Sequence, residues 1–186
     1  MIARKGNWCP TFTGRKFWPL DPRPTDVCIE DIAHHLAMEV RYAGAVRKFY
    51  SVAEHCVHVS RRVPPQDALW GLLHDASEAY CRDLNKPIKV AMPEYRRVEA
   101  AVMGCIVKRF RLPLPEPLSV KRVDQAITAD EWDQLLPPHL KADAVARWGG
   151  APMNVVIRGW TPQAAERNFL ARFHHLMRLR GAKEAA

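Results

Sequence analysis

The sequence predicts an all-α fold: one bundle of about six helices with an irregular N-terminal arm. Three observations carry this expectation. Apolar residues recur at helical spacing along most of the chain, capping residues and prolines punctuate those runs, and only Val155-Val156-Ile157 has the β-branched character of a short strand.

The elements follow in order. Residues 1–26, interrupted by Pro10, Pro19, Pro22 and Pro24, read as the arm. Ile29, Ile32, Leu36 and Val40 mark a first helix that Gly44 can terminate. Ser51 and Glu54 have the spacing of a capping box, which starts a second helix with His55 in its first turn; Pro64-Pro65 stops it. A third helix from about Gln66 to Cys81 carries the inward stripe Leu69, Leu72, Leu73 and Ala76 around His74, and Asp83 to Pro87 read as a loop. Proline suits a helix start, so a fourth helix runs from Pro93 to Phe110, with Tyr95, Val98, Val102, Cys105 and Ile106 on one face. After the turn Leu112 to Pro117, the residues Val120, Val123 and Ile127 open a fifth helix, which Pro137-Pro138 close. The stretch from Ala142 to Gly159 reads as irregular. Thr161-Pro162 then cap a C-terminal helix over 161–180, buried through Phe169, Phe173, Leu176 and Met177.

Composition narrows the function. A chain of 186 residues that is 48% hydrophobic can build one core, and no internal repeat or linker divides it, so residues 1–186 are expected to form one domain. The longest apolar runs fall short of a membrane span and the N-terminus lacks a secretory segment, which predicts a cytoplasmic protein without a membrane partner. Five scattered cysteines without a Cys-x-x-Cys pair favour neither a disulfide framework nor a cysteine zinc site. The net charge is +8, but the basic residues Arg96-Arg97, Lys108-Arg109 and Arg178 with Arg180 are dispersed and no nucleic-acid-binding motif accompanies them. The charge therefore points to a small polyanion such as a nucleotide rather than to nucleic acid.

The informative residues are His74-Asp75, set in the apolar run Leu72-Leu73-His74-Asp75-Ala76-Ser77-Glu78. Ionisable groups in such a setting need a partner or a metal. With His55 upstream and Asp124 downstream they supply two imidazoles and two carboxylates, a donor set for one divalent ion of the manganese, cobalt, iron, nickel, zinc or magnesium group. Asp130, Glu131 and Asp133 are alternative carboxylates, and a buried His–Asp hydrogen bond is the alternative without an ion. Glu78 follows His74 by four positions and Asp75 by three, on the same helix face, and is the candidate general acid/base or a support for a ligand. His34-His35 and His174-His175 read as core or helix-surface residues. Trp8, Phe12, Phe17 and Trp18 read as anchors of the arm rather than as a nucleobase wall.

These residues resemble the HD-domain phosphohydrolases, which are defined by a histidine on one helix, a His-Asp doublet on a later helix and an aspartate further on; His55, His74, Asp75 and Asp124 match in that order. The run His74 to Glu78, followed by Asp83-Leu84, Pro87 and Lys89, is similar to the small bacterial 5′-deoxynucleotidases and to phage deoxynucleoside triphosphate triphosphohydrolases. The likeness spans residues 27–136, and Arg41-Tyr42 stand where those nucleotidases carry an Arg-Trp pair on the nucleotide. Thr13 to Pro22 is similar to a subset of bacterial and phage HD proteins. The resemblance implies one HD domain that hydrolyses a nucleotide phosphoester, foremost as a nucleoside 5′-monophosphatase. Release of tripolyphosphate from a deoxynucleoside triphosphate is the alternative, and a non-catalytic nucleotide- or nucleic-acid-binding module the alternative of another class. Asp83 would order a water or a sugar hydroxyl, while Lys89 and Arg41 would face phosphate oxygens. The likeness, the aromatic arm and the amphipathic C-terminal helix together predict a homo-oligomer.

Overall fold

A computed structural model describes residues 4–140, 143 and 152–184. Its architecture is all-α, and the architecture is organised around a helix with no exposed face. In α2 (Val52–Arg62), every residue from Val52 to Ser60 is buried. Around it stand α1 (Ile29–Met38), α3 (Ala68–Leu73), α7 (Leu118–Leu135) and α8 (Pro162–Glu184). The short α4 (Glu78–Cys81) rests on α1; α6 (Pro93–Phe110) packs on α4 and on α5 (Lys86–Ala91). Phe169 and Ala165 of α8 are fully buried, and α8 lies across α1 and α2.

Buried polar groups on α2 all demand partners, and these fix its neighbours. Ser51 Oγ accepts the Glu54 amide at 3.1 Å, which is half of the predicted capping box. The other half is missing because the Glu54 carboxylate is used elsewhere: it accepts the amides of Arg158, Gly159 and Trp160 at 2.7, 3.1 and 2.6 Å. Burial pushes this carboxyl up, but His58 and those amides outweigh burial and hold it below the usual range. Ser60 donates to the Ala68 carbonyl at 2.7 Å and accepts from Arg172 Nε at 3.0 Å, tying α2 to α3 and α8.

Four boundaries depart from expectation. First, α1 stops at Met38 rather than reaching Val40, because Val40 leaves the helix to pair with Ser51; Gly44 ends a separate turn, Arg41–Gly44. Second, the third helix breaks. α3 ends at Leu73, the amides of Ala76 and Glu78 bond back three residues to Leu73 and Asp75, and α4 begins only at Glu78. Third, α5 occupies Lys86–Ala91, where the sequence reads as the end of a loop. Fourth, Val155 and Ile157 are buried in extended chain but pair with no strand; the Gln134 side chain takes that role, donating to Val155 O at 2.6 Å and accepting Ile157 N at 3.0 Å. Part of the stretch expected to be irregular, including Ala142, lies outside the described residues.

The arm is less irregular than its prolines suggest. β1 (Cys9–Pro10) and β2 (Lys16–Phe17) pair antiparallel, with Cys9 opposite Phe17. Gly14 closes the turn at φ +79°, a conformation that favours glycine. Thr13 donates through its amide and hydroxyl to Asp31 of α1 at 2.7 and 3.0 Å. Phe17 is buried and stacks on Tyr80 at 3.9 Å, while Trp8 and Phe12 stay exposed.

Gly71 sets the approach of α3 to α2. A Cβ there would stand 3.1 Å from Ser60 Cα and 3.3 Å from Ser60 N, both backbone atoms of a buried helix. Alanine ordinarily stabilises a helix by about 1 kcal/mol over glycine, but overpacking a rigid contact costs about 1–3 kcal/mol. We expect Gly71→Ala to lower stability in chemical denaturation; an increase would show that α3 can move away from α2.

Candidate metal centre

His55 and His74 reach one point from helices that Gly71 holds close. His55 Nδ1 donates to Glu131 Oε1 at 2.7 Å and His74 Nδ1 donates to the Gly71 carbonyl at 3.0 Å. Both acceptors lack hydrogens, so each Nδ1 carries a proton, and in the neutral imidazole each Nε2 presents a lone pair. The two Nε2 atoms face each other at 3.2 Å. Asp75 Oδ2 lies 3.2 Å from His74 Nε2 and 3.7 Å from His55 Nε2; Asp124 Oδ1 lies 3.0 Å from His55 Nε2 and 3.7 Å from His74 Nε2. Four electron-rich atoms at these separations repel one another unless a cation or a proton lies among them. Bonds of about 2.0–2.2 Å to one ion place neighbouring donors roughly 3 Å apart, so the spacing fits. The group His55, His74 and Asp75, whose donor atoms all lie within 4.8 Å of one another, can hold a metal ion.

Protonation follows the same geometry. Burial pushes the His74 imidazole down, but Asp75 and Asp124 outweigh it and raise it well above its ordinary value. Burial pushes the Asp75 carboxyl up, and His74 and His55 overcome this to hold it at about 2.

Behind His55 lies a group that the sequence offered only as an alternative ligand. Glu131 is fully buried, seven residues and two turns beyond Asp124 on the same face of α7. That spacing was the available signal. Its Oε1 accepts from His55 Nδ1 and from Tyr50 at 2.9 Å; its Oε2 accepts from Tyr42 and from Arg41 Nη2 at 3.2 Å. Burial raises this carboxyl, but Arg41 and His55 outweigh it and bring it to about 2. It orients the ring of His55 and turns its Nε2 outward.

The predicted substrate and proton-handling residues share one cleft of about 950 Å³ that reaches the metal group and is lined by Arg41, Tyr42, Asp75, Glu78, Asp83, Lys89 and Asp124. Arg41 is committed: besides Glu131, its Nη1 lies 3.5 Å from Asp75 Oδ2. The Tyr42 hydroxyl is committed too, and the Arg41 guanidinium lies over its ring, 5.5 Å from the centroid. Lys89 sits 2.5 Å from Glu99 and 3.5 Å from Glu78, and Glu99 was not foreseen. Asp83 is placed by its amide, which donates to Glu39 at 2.9 Å, and burial raises its carboxyl. Glu78 does not continue the helix of His74, since the chain tightens between them, yet it lines the same cleft. Its Oε2 is buried without a partner, and burial together with Asp75 and Asp83 raises its carboxyl well above the usual range. Trp132, also unforeseen, completes the wall. No described helix is long and apolar enough to cross a membrane.

An all-α bundle with a His–His–Asp group at one end of a polar cleft defines this protein as a helical domain with a candidate metal centre. No family model matches the chain. It is 39% identical over 121 residues to the uncharacterized protein YfdR of Escherichia coli K12, covering 65% of this chain and 68% of YfdR. It is 33% identical over 197 aligned positions to an uncharacterized protein of Rhodobacter capsulatus, covering 94% of this chain and 97% of that one. The chain belongs to the family these two proteins share.

Two outcomes are expected. Glu131→Gln should lower the affinity for a divalent ion about 10- to 100-fold by calorimetry, the usual cost of losing such a support, with the helical circular dichroism retained. Because Asp75 and Asp124 hold the His74 imidazole of the free chain well above its ordinary value, an ion at Nε2 must displace a proton there. Affinity should therefore rise with pH, by up to about tenfold per unit for each proton released, until the raised pKa is passed. Affinity independent of pH would remove His74 from the donor set.

Proposed function

We propose that the chain is a metal-dependent phosphohydrolase of the HD-domain type that acts on nucleotides, foremost as a nucleoside 5′-monophosphatase. The observation that carries this reading is the pair of imidazole lone pairs turned toward each other beside Asp75 and Asp124, next to a buried and partly unsatisfied Glu78. All four side chains serve as ligands of one divalent ion in this reading. The ion when bound supplies Lewis acidity toward a phosphate oxygen and lowers the pKa of a water.

The remaining steps fall to the chain. Glu78, its carboxyl raised well above the usual range by burial, is disposed to carry a proton that it can deliver to a departing alkoxide, or to recover one from the attacking water. Lys89 is held at Glu78 by Glu99 and favours its ionised form when that proton leaves. Arg41 keeps Asp75 oriented and presents positive charge to phosphate oxygens, and Asp83 accepts from a water or a sugar hydroxyl. The rings of Tyr42 and Trp132 give a base a flat wall. Arg41 and Lys89 are both already paired with carboxylates, which favours one phosphate over three.

The test is an assay of the metal-loaded protein against nucleoside mono- and triphosphates, with free phosphate and tripolyphosphate measured separately. Free phosphate from monophosphates is expected. Tripolyphosphate would instead identify a triphosphohydrolase, and no product from any nucleotide would leave a binding module. His74→Ala and Asp75→Ala should abolish both ion binding and turnover. Glu78→Ala should retain the ion and lose about 10²–10⁴ in turnover, the range for a general acid/base. Release of the ion by Glu78→Ala would instead make Glu78 a ligand or its support.

A further inference from the structure

A second cavity, of about 550 Å³, lies between the arm and α4, walled by Phe12, Phe17, Met38, Glu39, Tyr80 and Arg82. Its size falls within the range of small-molecule sites. α4 is the partition between the cavities: Glu78 lines the metal cleft, while Tyr80 lines this one.

The walls are fixed before any ligand arrives. The His35 ring clamps the arm to α4, with Nδ1 donating to the Ala79 carbonyl at 2.7 Å and Nε2 accepting the Phe12 amide at 3.1 Å. Phe12 stacks on His34 at 3.6 Å yet remains 56% exposed, and Tyr80 stacks on Phe17 at 3.9 Å. An aromatic ring kept in water by a rigid hairpin calls for an explanation.

Glu39 supplies the polar feature. Its residue is only 8% exposed, and its carboxylate receives one hydrogen bond, from the Asp83 amide to Oε1. Arg82 Nη1 stands 3.9 Å from that same oxygen, too far for a hydrogen bond, and Oε2 has no donor among the described residues. Other buried carboxylates of this fold are served better: Glu54 accepts three amides, Glu131 accepts from four side chains, and Asp31 accepts two bonds from Thr13. The buried carboxylate left short in the metal cleft is Glu78, and the one left short at this cavity is Glu39. Glu39 Oε2 is accessible at the cavity wall, so a ligand donor can reach it without displacing a partner.

We propose that this cavity binds a flat heteroaromatic ring that stacks against the arm and donates an N–H to Glu39, the chemistry of a nucleobase. A compact ammonium ion would meet the Arg82 guanidinium at the same carboxylate, whereas a neutral ring would not.

The probes are guanosine and cytidine, titrated calorimetrically into the full-length Asp75→Ala protein with ribose as control. Saturable binding of one nucleoside per chain and none of ribose is expected. Met38→Arg, which fills the mouth from a position that is 58% exposed, and Phe12→Ala, which removes the exposed ring, should each weaken binding about tenfold or more. Neither change touches the buried core, so fold loss does not confuse the result. Absence of saturable binding overturns the proposal. Binding indifferent to Met38→Arg and Phe12→Ala also overturns it, because the nucleoside would then lie elsewhere.

Discussion

The hydrogen bond from His55 Nδ1 to Glu131 is the constraint on which the site depends. A carboxylate with no exposure costs several kcal/mol to desolvate, and only a nearly complete set of donors offsets that cost. Those donors come from three separate parts of the chain: His55 on α2, Tyr50 just before it, and Arg41 with Tyr42 in the preceding turn. Satisfying one carboxylate on α7 therefore fixes how the turn and α2 sit against it. The turn is strained, with Tyr42 and Ala43 at φ 57° and 49°, a conformation costing of order 1–3 kcal/mol per residue. The bonds to Glu131 hold it there. The result is a ring with one orientation and an Arg41 guanidinium that spans Glu131 and Asp75.

A wider pattern of polar burial supports the same division of labour. Glu54 gathers the chain around Arg158 to Trp160, Ser60 joins three helices, and Asp31 ties down the hairpin; these groups are structural because their hydrogen-bonding capacity is used. Glu78 retains an oxygen without a partner among the described residues, at the wall of the metal cleft. In a fold that satisfies Glu54, Glu131 and Asp31 so fully, capacity left open beside a cavity is capacity available to a ligand.

Much of this was legible in the sequence. α6 was expected from Pro93 to Phe110 and spans those residues, because a proline start and a long apolar stripe are local signals. His55, His74, Asp75 and Asp124 converge as their residue types suggested, since ionisable groups among apolar neighbours must meet partners. What escaped is what tertiary structure decides. The backbone tightens after Leu73, Glu54 was drawn from its capping box by the amides of a segment about a hundred residues away, and Val155 to Ile157 meet a glutamine instead of a strand. Glu131 lay on the Asp124 face all along, but spacing alone cannot tell a ligand from the group that orients one.

Charge gives the site an order of events. The whole chain carries +8, which favours the approach of anions. Locally the balance reverses: Asp75, Glu78, Asp83 and Asp124 line the cleft against Arg41, Lys86 and Lys89. The negative end is concentrated where Asp75 and Asp124 flank the imidazoles. An anion entering there meets two carboxylates. A divalent cation seated among them reverses the sign at the point where these groups converge, so the long-range field and the local site become consistent only when the cation precedes the anion.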